Sequence, residues 1–562
     1  MKKAISIGIQ GFSALREQDC FFVDKTNFIK EWWENRDVVT LITRPRRFGK
    51  TLNMSMLECF FSNKYVNRAD LFEGLSIWQE EAYRKLQGSY PVIFLSFAAV
   101  KAGNLEDAKT QIKQEIARLY RENRNLMKED IFGEDERELY YQTTVKMDDV
   151  TAQDSLRNLS EWMERYYGKK VIILLDEYDT PMQEAYVQGY WDVFTAFVRS
   201  LFNASFKTNP YLERAIMTGI TRVSKESIFS DLNNLQVITT TSDLYADCFG
   251  FTESEVFHVL DEFGMGDKKN EVKQWYDGFT FGEHKDIYNP WSITNYLDKR
   301  KTYPYWASTS SNGLVSRLIR TASADVKEKM EDLLNGREIV VSFDEQIVYN
   351  QLDHNENAIW SLLLSSGYLK VKHVDYRGIT REPWYTLDIT NIETLSMFTT
   401  MFQDWFQNQD ANYSYFMKAL INGDLEAMNY YMNKVALATF SYFDVGSGNG
   451  SDPEPERFYH GFVLGLIAER AGIYEIRSNR ESGFGRYDIM MIPQEREKYP
   501  AIIIEFKVCS RMKKETLEEA VQSALDQIVD KNYDAKLLSQ GIAADRIRHY
   551  GFAFEGKRVL IG

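Results

Sequence analysis

Short apolar runs alternate with longer periodic stretches over the first part of the chain. The runs are rich in Val, Ile and Leu, as in strands buried on both faces of a parallel sheet, and cover 37–43, 91–97, 171–177 and 214–220. The stretches between them, such as 104–127, have the three- and four-residue apolar spacing of amphipathic helices. This alternation predicts an α/β domain with a parallel sheet over residues 1–250.

The strand pattern fades afterwards, and aromatic-rich helical segments dominate 251–443. Within this region AIWSLLLSSGYLKV (358–371), followed by WYTLDI (384–389), predicts helix, strand, turn and strand. A winged-helix unit has this order, and so does an ordinary α+β hairpin. Gly, Ser, Pro and Asp break every periodicity over 444–456, where we expect a linker or mobile loop. A compact α/β pattern then covers 455–562.

Length and composition indicate a globular protein with more than one domain. The chain has 562 residues, 44% of them hydrophobic and 27% charged, which favours about two to four domains. Because no apolar run approaches the roughly 20 residues of a membrane helix, we expect no membrane partner. The cysteines are far apart and form no C-x-x-C pair, which suits a reducing cytoplasm. With a net charge of -15, nucleic-acid binding would need locally concentrated basic residues.

The strand predicted at 37–43 leads into the last part of a phosphate-binding loop. Gly49, Lys50 and Thr51 match the end of G-x-x-x-x-G-K-[ST], where Gly permits close backbone approach, Lys reaches the outer phosphates and Thr holds Mg²⁺. Arg44 replaces the first glycine, which costs backbone freedom but brings positive charge near the anions. The candidate cofactor-binding residues of this loop are Arg44, Arg46, Arg47, Phe48, Gly49, Lys50 and Thr51.

Two further strand ends carry polar side chains that suit the same site. Asp176 and Glu177 end a buried strand, where Asp176 can hold Mg²⁺ and Glu177 can orient or deprotonate the attacking water. Thr218, at the end of another strand, is placed like a sensor of the γ-phosphate. Arg222 is a candidate stabiliser of charge in the transition state, and a solvated loop arginine is the alternative interpretation.

Near the C-terminus, YDIMMI and AIIIEFKV predict a hairpin with charged residues on one face. Glu505 and Lys507 are two residues apart, so their side chains leave the same face, and the hairpin can bring Asp488 beside them. In metal-dependent phosphodiester hydrolysis, Asp488 and Glu505 would hold Mg²⁺ or Mn²⁺, while Lys507 positions water or stabilises charge. Phe506 is expected on the opposite face, in the core. A solvated face is the alternative, but the isoleucines before Glu505 indicate burial, which is costly for charges without a function.

Seven sequence blocks occur in order within a region of roughly residues 5–310, the last ending at Asn312: FFVDKTNFIKEW, RPRRFGKT, LLDEYDTP, TGITRVSKESIFSDLNN, WYDGFTFG, YNPWSI and PYWASTSSN. Together they resemble the bacterial AAA-ATPase-like family, whose loop characteristically begins R-P-R-R-F-G-K-T. The resemblance implies that the missing glycine is the family's own form of the loop, and that the fold is a P-loop ATPase with a helical extension. It also implies that Lys50, Thr51, Asp176 and Glu177 bind ATP and Mg²⁺.

The motif Asp488, Glu505 and Lys507 resembles that of the PD-(D/E)xK nuclease superfamily, with Tyr487 where a proline is usual. The helices predicted for PERFYHGFVLGLIAERAG and TLEEAVQSALDQIVDKNY are similar to those of the nuclease-like domain that accompanies this ATPase family. The resemblance covers about residues 455–562 and implies a restriction-endonuclease-like α/β domain.

Weaker candidates surround these two sites. The nuclease resemblance implies Glu456 as a further metal ligand and Gln527 as an accessory polar group. His460 could assist, although a helical histidine packed in the protein is the expected alternative. Trp275 or Tyr288 could stack on a base or on adenine, but core packing is the default for aromatic residues at a content of 14%.

Three functional hypotheses follow. In the first, ATP binding or hydrolysis controls a nuclease that cuts DNA or RNA. In the second, the protein is an ATP-dependent switch or scaffold whose nuclease-like domain only binds nucleic acid. In the third, a transposon-related or defence ATPase acts mainly through partners. The resemblance also bears on assembly. P-loop ATPases of this type often complete their sites with an arginine of a neighbouring subunit, so a homo-oligomer is expected.

Overall fold

A computed structural model describes residues 3–128, 132–222, 229, 232–309, 312–345, 349, 352, 355–407, 412–443, 461–467, 470, 472–482, 485–509, 515–555 and 558–562. These residues form two compact units that alternate along the chain. Unit 1 comprises Met1–Ser310, Val341–Tyr385 and Thr390–Glu393; unit 2 comprises Ser311–Val340, Thr386–Ile389 and Thr394–Gly562. The predicted linker at 444–456 and the candidates Glu456 and His460 lie outside the described residues.

Unit 1 contains the parallel sheet that the apolar runs predict. Its strands pair in the order β2-β3-β4-β1-β5. They are β1 Val39–Thr43, β2 Val92–Ser96, β3 Val171–Asp176, β4 Leu212–Gly219 and β5 Leu235–Ile238. The prediction of a parallel sheet with four of these strands is confirmed. β5 was not predicted, because its four residues are only partly buried and carry no continuous apolar run.

Small antiparallel strands follow the parallel sheet, in a region for which the sequence predicted mainly helices. β6 Phe251–Thr252, β7 Phe279–Phe281 and β8 His284–Tyr288 form one sheet in the order β6-β8-β7. β9 Ile339–Val341, β10 Leu369–Arg377 and β11 Glu382–Ile389 form another in the order β10-β11-β9. The predicted order of helix, strand, turn and strand is confirmed by α15, β10 and β11, where α15 is Ala358–Ser365.

The helices before residue 310 all belong to unit 1. They are α1 Phe12–Glu17, α2 Asn27–Asn35, α3 Lys50–Phe61, α4 Glu81–Leu86, α5 Leu105–Glu122, α6 Glu134–Gln142, α7 Asp149–Tyr167, α8 Thr180–Gln188, α9 Trp191–Phe202, α10 Glu253–Glu262, α11 Lys269–Tyr276 and α12 Pro290–Lys299. The aromatic core on one side of the sheet includes Trp32, Phe60 and Phe61, all at most 1% exposed.

The helices after residue 310 include α13 Gly313–Thr321, α14 Ala324–Leu334, α15 as above, α16 Ile392–Gln407, α17 Asn412–Asn422, α18 Leu425–Phe443, α19 Leu517–Asp530 and α20 Ala535–Ser539, and residues 461–467 are also helical. Unit 2 also contains a mixed sheet in the order β12-β13-β14-β15-β16. Its strands are β12 Tyr474–Ser482, β13 Gly485–Pro493, β14 Ala501–Val508, β15 Ile547–Glu555 and β16 Arg558–Ile561. β14 and β15 are parallel and the other pairs are antiparallel, which confirms the predicted C-terminal α/β domain. In the part of the chain that is described, no helix is long and apolar enough to cross a membrane.

Side chains from helices cover both edges of the mixed sheet. On α18, the amides of Asn429 and Asn433 each pair with the backbone of β16, at Ile561 and Val559 respectively, with N···O distances of 2.7–2.9 Å. At the opposite edge, Glu331 accepts the Ser478 N–H of β12 at 2.8 Å. These contacts satisfy edge groups that would otherwise pair with another strand.

We expect the double substitution Asn429→Ala and Asn433→Ala to destabilise the protein by about 2–4 kcal/mol, because it removes four partly buried hydrogen bonds. Urea unfolding followed by circular dichroism measures this change. Glu426→Ala with Lys434→Ala, at exposed positions of the same helix, should shift the midpoint little. Equal midpoints for the two double variants would contradict the expected role of the asparagines.

A buried carboxyl group makes the stability of unit 1 sensitive to pH. Glu393 is fully buried, accepts hydrogen bonds from Ser292 Oγ at 2.8 Å and Trp306 N at 2.6 Å, and has its pKa raised to about 7 by burial. Because the folded pKa exceeds the unfolded value, the folded state is favoured at low pH. This advantage, on the order of 3 kcal/mol, is lost as pH rises from about 4.5 to 7.

Glu393→Gln should therefore raise the melting temperature at pH 8 and give no gain at pH 4.5. A glutamine can still accept the Trp306 N–H and can donate to Ser292 Oγ. Melting curves between pH 4.5 and 8 test this, with the exposed Glu283→Gln as the control. If the melting temperatures of wild type and Glu393→Gln change in parallel with pH, ionisation of the buried Glu393 does not destabilise the folded protein.

Candidate functional site

The loop between β1 and α3 presents unpaired backbone groups at a helix start. Gly49 is the N-cap of α3 with φ 80, and an added Cβ there would meet open space, so the glycine serves the backbone conformation. Among the described residues, no side chain caps this helix. The first amide groups of a twelve-residue helix are thus available to an anion.

Lys50 is buried within this loop. Its Nζ donates to the carbonyl oxygens of Arg44 at 3.0 Å and Pro45 at 2.9 Å. Burial lowers its pKa, and the nearby carboxylates of Glu177 and Asp179 oppose that effect. The ammonium group is therefore held at the loop by backbone carbonyls and faces acidic groups, an arrangement that a bound phosphate would complete.

The Arg44 side chain points into the protein and not to a position for a bound anion. Arg44 is 0% exposed, and its guanidinium donates to the carbonyl oxygens of Thr43 at 2.9 Å and Thr239 at 2.7 Å. It also lies 4.4 Å from the centroid of the Phe281 ring. The expectation that Arg44 brings charge to the anion does not fit this burial. The geometry instead assigns Arg44 to anchoring the loop on the segment after β5.

The loop has positive φ at Arg47 (65) and Gly49 (80), but not at Arg44. The turn therefore does not need glycine at position 44. The exposed Arg47 guanidinium stacks 4.5 Å from the Trp291 ring, and Phe48 packs against the Phe279 ring at 4.8 Å. Arg46 and Arg47 are thus the loop arginines placed nearer solvent, whereas Phe48 secures the loop to β7.

Asn289 is a loop contact that the sequence interpretation missed. Its Nδ2 donates to the Arg46 carbonyl at 3.3 Å, while its Oδ1 accepts from Trp291 N at 2.9 Å as the N-cap of α12. The signal was present in the block YNPWSI, because Asn followed by Pro is a typical helix start. Its contact with a loop some 240 residues away could not be read from the sequence.

Parallel pairing brings the predicted magnesium residues together. Leu175 pairs with Met217, so Asp176, the last residue of β3, lies beside Thr218, the next-to-last residue of β4. The two oxygens of Asp176 accept from Thr51 Oγ1 at 2.8 Å and Thr218 Oγ1 at 2.6 Å. Burial raises the pKa of Asp176, which is 0% exposed. A buried carboxylate beside a threonine hydroxyl is the oxygen donor set that Mg²⁺ prefers, so these residues fit the ion.

Glu177 has an unusual backbone conformation for a residue other than glycine, with φ 50. Its side chain accepts from Thr180 Oγ1 at 3.2 Å, and its N–H points to Thr218 Oγ1 at 3.5 Å. Backbone strain of this kind persists where the surrounding structure enforces it, as it commonly does at functional positions.

Asp179 is a second residue that the sequence interpretation missed. It is buried and accepts from Ile220 N, Thr221 N and Thr221 Oγ1 at 2.8–3.0 Å. A Cβ at Gly219 would lie 2.7 Å from Asp179 Oδ1, so only glycine allows this close approach. Asp179 thus fixes the turn that follows Thr218. It belongs to the quoted block LLDEYDTP, but its role depends on the fold.

Arg222 lies after that turn and lines a small polar pocket. The pocket is also lined by Thr43, Thr239, Thr240, Phe343, Glu345, Ser361, Leu364 and Ser365. No contact within the described ranges joins Arg222 to Asp176 or Lys50. The structure therefore does not bring Arg222 together with the other nucleotide candidates.

The aromatic candidates belong to a hydrophobic core. Tyr288 is 0% exposed and its hydroxyl donates to Glu253 at 3.2 Å. Trp275 packs, partly buried, against the same core cluster. Both aromatic side chains therefore pack in or against the core, which was the expected alternative to stacking on a base.

The mixed sheet of unit 2 brings together the acidic candidates near the C-terminus. Ile489 pairs with Ile504, so that Asp488 lies opposite Glu505 on neighbouring antiparallel strands. Asp488 Oδ2 accepts the Phe506 N–H at 2.6 Å, and the Asp488 N–H lies 3.4 Å from Glu505 Oε2. The predicted hairpin therefore places the two carboxylates side by side.

Gln527 of α19 connects the lysine and the glutamate of this site. Its Oε1 accepts from Lys507 Nζ, and its Nε2 donates to Glu505 Oε1 and, at 3.1 Å, to the Tyr533 hydroxyl. Lys507 Nζ also lies 3.6 Å from Glu505 Oε1. The structure thus brings together all the described nuclease candidates, with Gln527 contacting two of them.

Burial and mutual repulsion shape the electrostatics of these carboxylates. Burial raises the pKa of Glu505, and the neighbouring Asp488 raises it further. Burial also raises the pKa of Asp488, against the effects of the Phe506 N–H and of Lys507. A divalent cation would relieve this repulsion, and its preference for carboxylate oxygens fits the pair.

The opposite face of β14 is apolar, as expected. The Phe506 ring stacks 5.5 Å from Phe554 and lies 5.2 Å from Phe552. This aromatic packing fixes the strand on one face while the charged side chains project from the other.

Comparisons with known proteins match one domain at each end of the chain. A family model described as "Predicted AAA-ATPase" matches residues 6–229, and another described as "PD-(D/E)XK nuclease superfamily" matches residues 454–562. The chain is also 27% identical over 401 residues to "Uncharacterized protein in vnfD 5'region" of Azotobacter chroococcum mcd 1, covering 70% of this chain and 68% of that protein. The chain therefore carries an AAA-ATPase-like domain and, at its C-terminal end, a domain of the PD-(D/E)XK nuclease superfamily.

Proposed function

We propose that the protein binds and hydrolyses ATP in its first domain and thereby controls a metal-dependent nuclease in its last. The observation that carries the proposal is the buried Glu505 beside the partly buried Asp488, with Gln527 joining Glu505 to Lys507. Burying two adjacent carboxylates is costly without a cation, and a binding-only domain has no need for them.

At the nuclease site, Asp488 and Glu505 would hold Mg²⁺ or Mn²⁺, which supplies Lewis acidity at the scissile phosphate. Lys507 would orient the attacking water or neutralise the charge that develops on the phosphate oxygens. Gln527 fixes the Lys507 ammonium through its Oε1 and orients Glu505 through its Nε2. This shared contact keeps the lysine on the same side as the carboxylates, where a phosphodiester would bind.

At the nucleotide site, Lys50 and the first turn of α3 would bind the phosphates of ATP. Thr51 and Asp176 would hold Mg²⁺, which neutralises phosphate charge. Glu177 would orient the attacking water, and Thr218 would sense the γ-phosphate through its hydrogen bond to Asp176. Arg46 and Arg47 lie toward solvent, where they could meet the outer phosphates.

The proposal is tested by incubating wild-type protein with single- and double-stranded DNA and RNA, Mg²⁺ or Mn²⁺, and either ATP, a non-hydrolysable analogue or no nucleotide. We expect cleavage of at least one substrate at a rate that depends on the nucleotide. Turnover of ATP without cleavage of any substrate would favour the alternative, an ATP-dependent switch or scaffold whose nuclease-like domain only binds nucleic acid.

A further inference from the structure

The hairpin of β10 and β11 ends in an exposed tip, Tyr376–Arg381, which belongs to unit 1. Ile379, at its turn, is 104% exposed and Tyr376 is 62% exposed. Single exposed apolar side chains are common on protein surfaces, but here two large ones lie within six residues that also include Arg377 and Arg381. The tip therefore has the features of a contact surface.

The charge of this hairpin is opposite to that of the whole chain. Residues 369–389 contain four Lys and Arg against three Asp and Glu, and the third acidic residue, Asp388, lies near the far end of β11, whereas the chain has a net charge of -15. The first two carboxylates have other contacts: Asp375 lies 3.0 Å from His373 Nε2, and Glu382 accepts from Ser342 Oγ at 2.7 Å. The tip itself contains two arginines and no acidic residue.

Both tip arginines are stacked on aromatic rings. The Arg377 guanidinium lies 4.3 Å from the Trp384 ring, and that of Arg381 lies 5.4 Å from the Tyr376 ring. Within the described part of the chain neither guanidinium has a carboxylate partner. Stacking holds the planar groups in place while their N–H edges remain free to bind phosphate.

The helix before the hairpin cannot act as the reading element of a winged helix. All residues of α15 from Ala358 to Leu364 are buried, so none can reach a nucleic-acid groove. If this region binds nucleic acid, the hairpin tip is the element that contacts it.

We propose that the Tyr376–Arg381 tip binds double-stranded DNA in the minor groove, with Arg377 and Arg381 on the phosphates and Ile379 against the base edges. Arginines beside an apolar wedge are the chemistry by which proteins enter and widen this groove. This inference rests on the proposed function, in that the substrate is nucleic acid, and it adds a substrate-holding surface outside the nuclease site.

Duplex DNA fits the tip better than the other anionic partners. The minor groove of A-form RNA is wide and shallow, so a single narrow tip would make few contacts with it. A membrane surface would need a larger apolar face than one isoleucine offers.

The test measures binding of a fluorescent 20-base-pair DNA duplex by anisotropy, with full-length protein in EDTA so that no cleavage occurs. The double variant Arg377→Ala and Arg381→Ala is compared with Lys101→Ala and Lys207→Ala, which removes the same charge at two other exposed positions of unit 1. We expect the tip variant to bind about tenfold more weakly, with the salt slope reduced by about 1 to 2, and the control pair to bind nearly as wild type.

Ile379→Ser separates the apolar contact from the charges. We expect about threefold to tenfold weaker binding with an unchanged salt slope, because no ion is released by an apolar contact. Since the side chain is fully exposed, the melting temperature should not change.

Equal DNA affinity of the tip and control variants would overturn the proposal, as would wild-type protein that binds no duplex DNA. A loss seen only with duplex RNA or with anionic vesicles would also overturn it. Failure of the proposed nuclease looks different: the tip would still bind DNA in EDTA, but wild type with Mg²⁺ or Mn²⁺ would cut nothing.

Discussion

Lys50→Ala is expected to weaken ATP binding by at least about 100-fold. In the folded protein the Lys50 ammonium is 5% exposed and faces the carboxylates of Asp176, Glu177 and Asp179. Without it, the phosphates of ATP would enter a site whose remaining side-chain charges are largely acidic. Loss of one partner from a buried, hydrogen-bonded charge pair typically costs about 2–5 kcal/mol, which corresponds to this change in affinity.

Isothermal titration calorimetry with ATP and Mg²⁺ measures the effect of Lys50→Ala. Arg47→Ala is the matched control, because it removes one positive charge from an exposed position of the same loop. We expect its affinity to fall less than tenfold, since an exposed charge is screened by solvent. If Lys50→Ala is folded by circular dichroism and binds ATP as wild type does, the loop is not the nucleotide site.

The loop also explains how a phosphate-binding turn forms without its first glycine. Arg44 is not among the residues with positive φ, and the left-handed conformations fall at Arg47 and Gly49. The long side chain at position 44 is then free to anchor the turn to carbonyl oxygens after β5. The Arg44 side chain thus fixes the turn through hydrogen bonds, where a glycine would supply only backbone freedom. Its guanidinium is buried, and desolvation lowers its pKa to about 9.

The parts of the fold that the sequence predicted are those with continuous local patterns. β1 to β4 coincide closely with four Val-, Ile- and Leu-rich runs. β1, β3 and β4 are central strands, which are buried on both faces, and β2, although it lies at the edge of the sheet, is also mostly buried. β6 and β7, with two and three residues, are too short to show any period. They form because distant strands pair with them, which local propensity does not encode.

In the candidate sites too, residues in local motifs could be predicted, whereas residues that act through distant contacts could not. Lys50, Thr51 and Asp176 could be named from motif spacing, and the strand pairing brings Thr51 and Asp176 into direct contact. Asp179 and Asn289 could not be assigned, because each acts on a segment more than 40 residues away. Their hydrogen bonds become visible only once the fold is known.

The edge contacts of the mixed sheet were likewise hidden. Asn429 and Asn433 are four residues apart on a helix, a spacing that also describes an ordinary solvated face. The structure shows that they pair with β16, which places α18 in the same compact unit as the nuclease sheet.

At the other site, Lys507→Ala is expected to lower the rate of nucleic-acid cleavage by at least about 1,000-fold. Lys507 is the cation held beside the buried Glu505, through Gln527 and at 3.6 Å from the carboxylate. Its removal leaves the developing charge of the phosphate without a positioned ammonium group. Loss of a preorganised electrostatic contact commonly costs two to three orders of magnitude, roughly 3–4 kcal/mol, and loss of water positioning adds to it.

The measurement compares single-turnover cleavage by wild type, Lys507→Ala and Lys531→Ala on the substrate that wild type cuts. Lys531→Ala removes the same charge from an exposed position at the end of α19 and should cut at the wild-type rate. Lys507→Gln is a second variant for the case that Lys507→Ala disturbs the positions of the neighbouring carboxylates. Its side chain can still hydrogen-bond to Gln527 but carries no charge. Because the role proposed for the lysine is at the reacting phosphate, both variants should bind the substrate nearly normally while the cleavage step slows. Cleavage at the wild-type rate by folded Lys507→Ala would remove this lysine from the chemistry and leave the buried carboxylates without their proposed role.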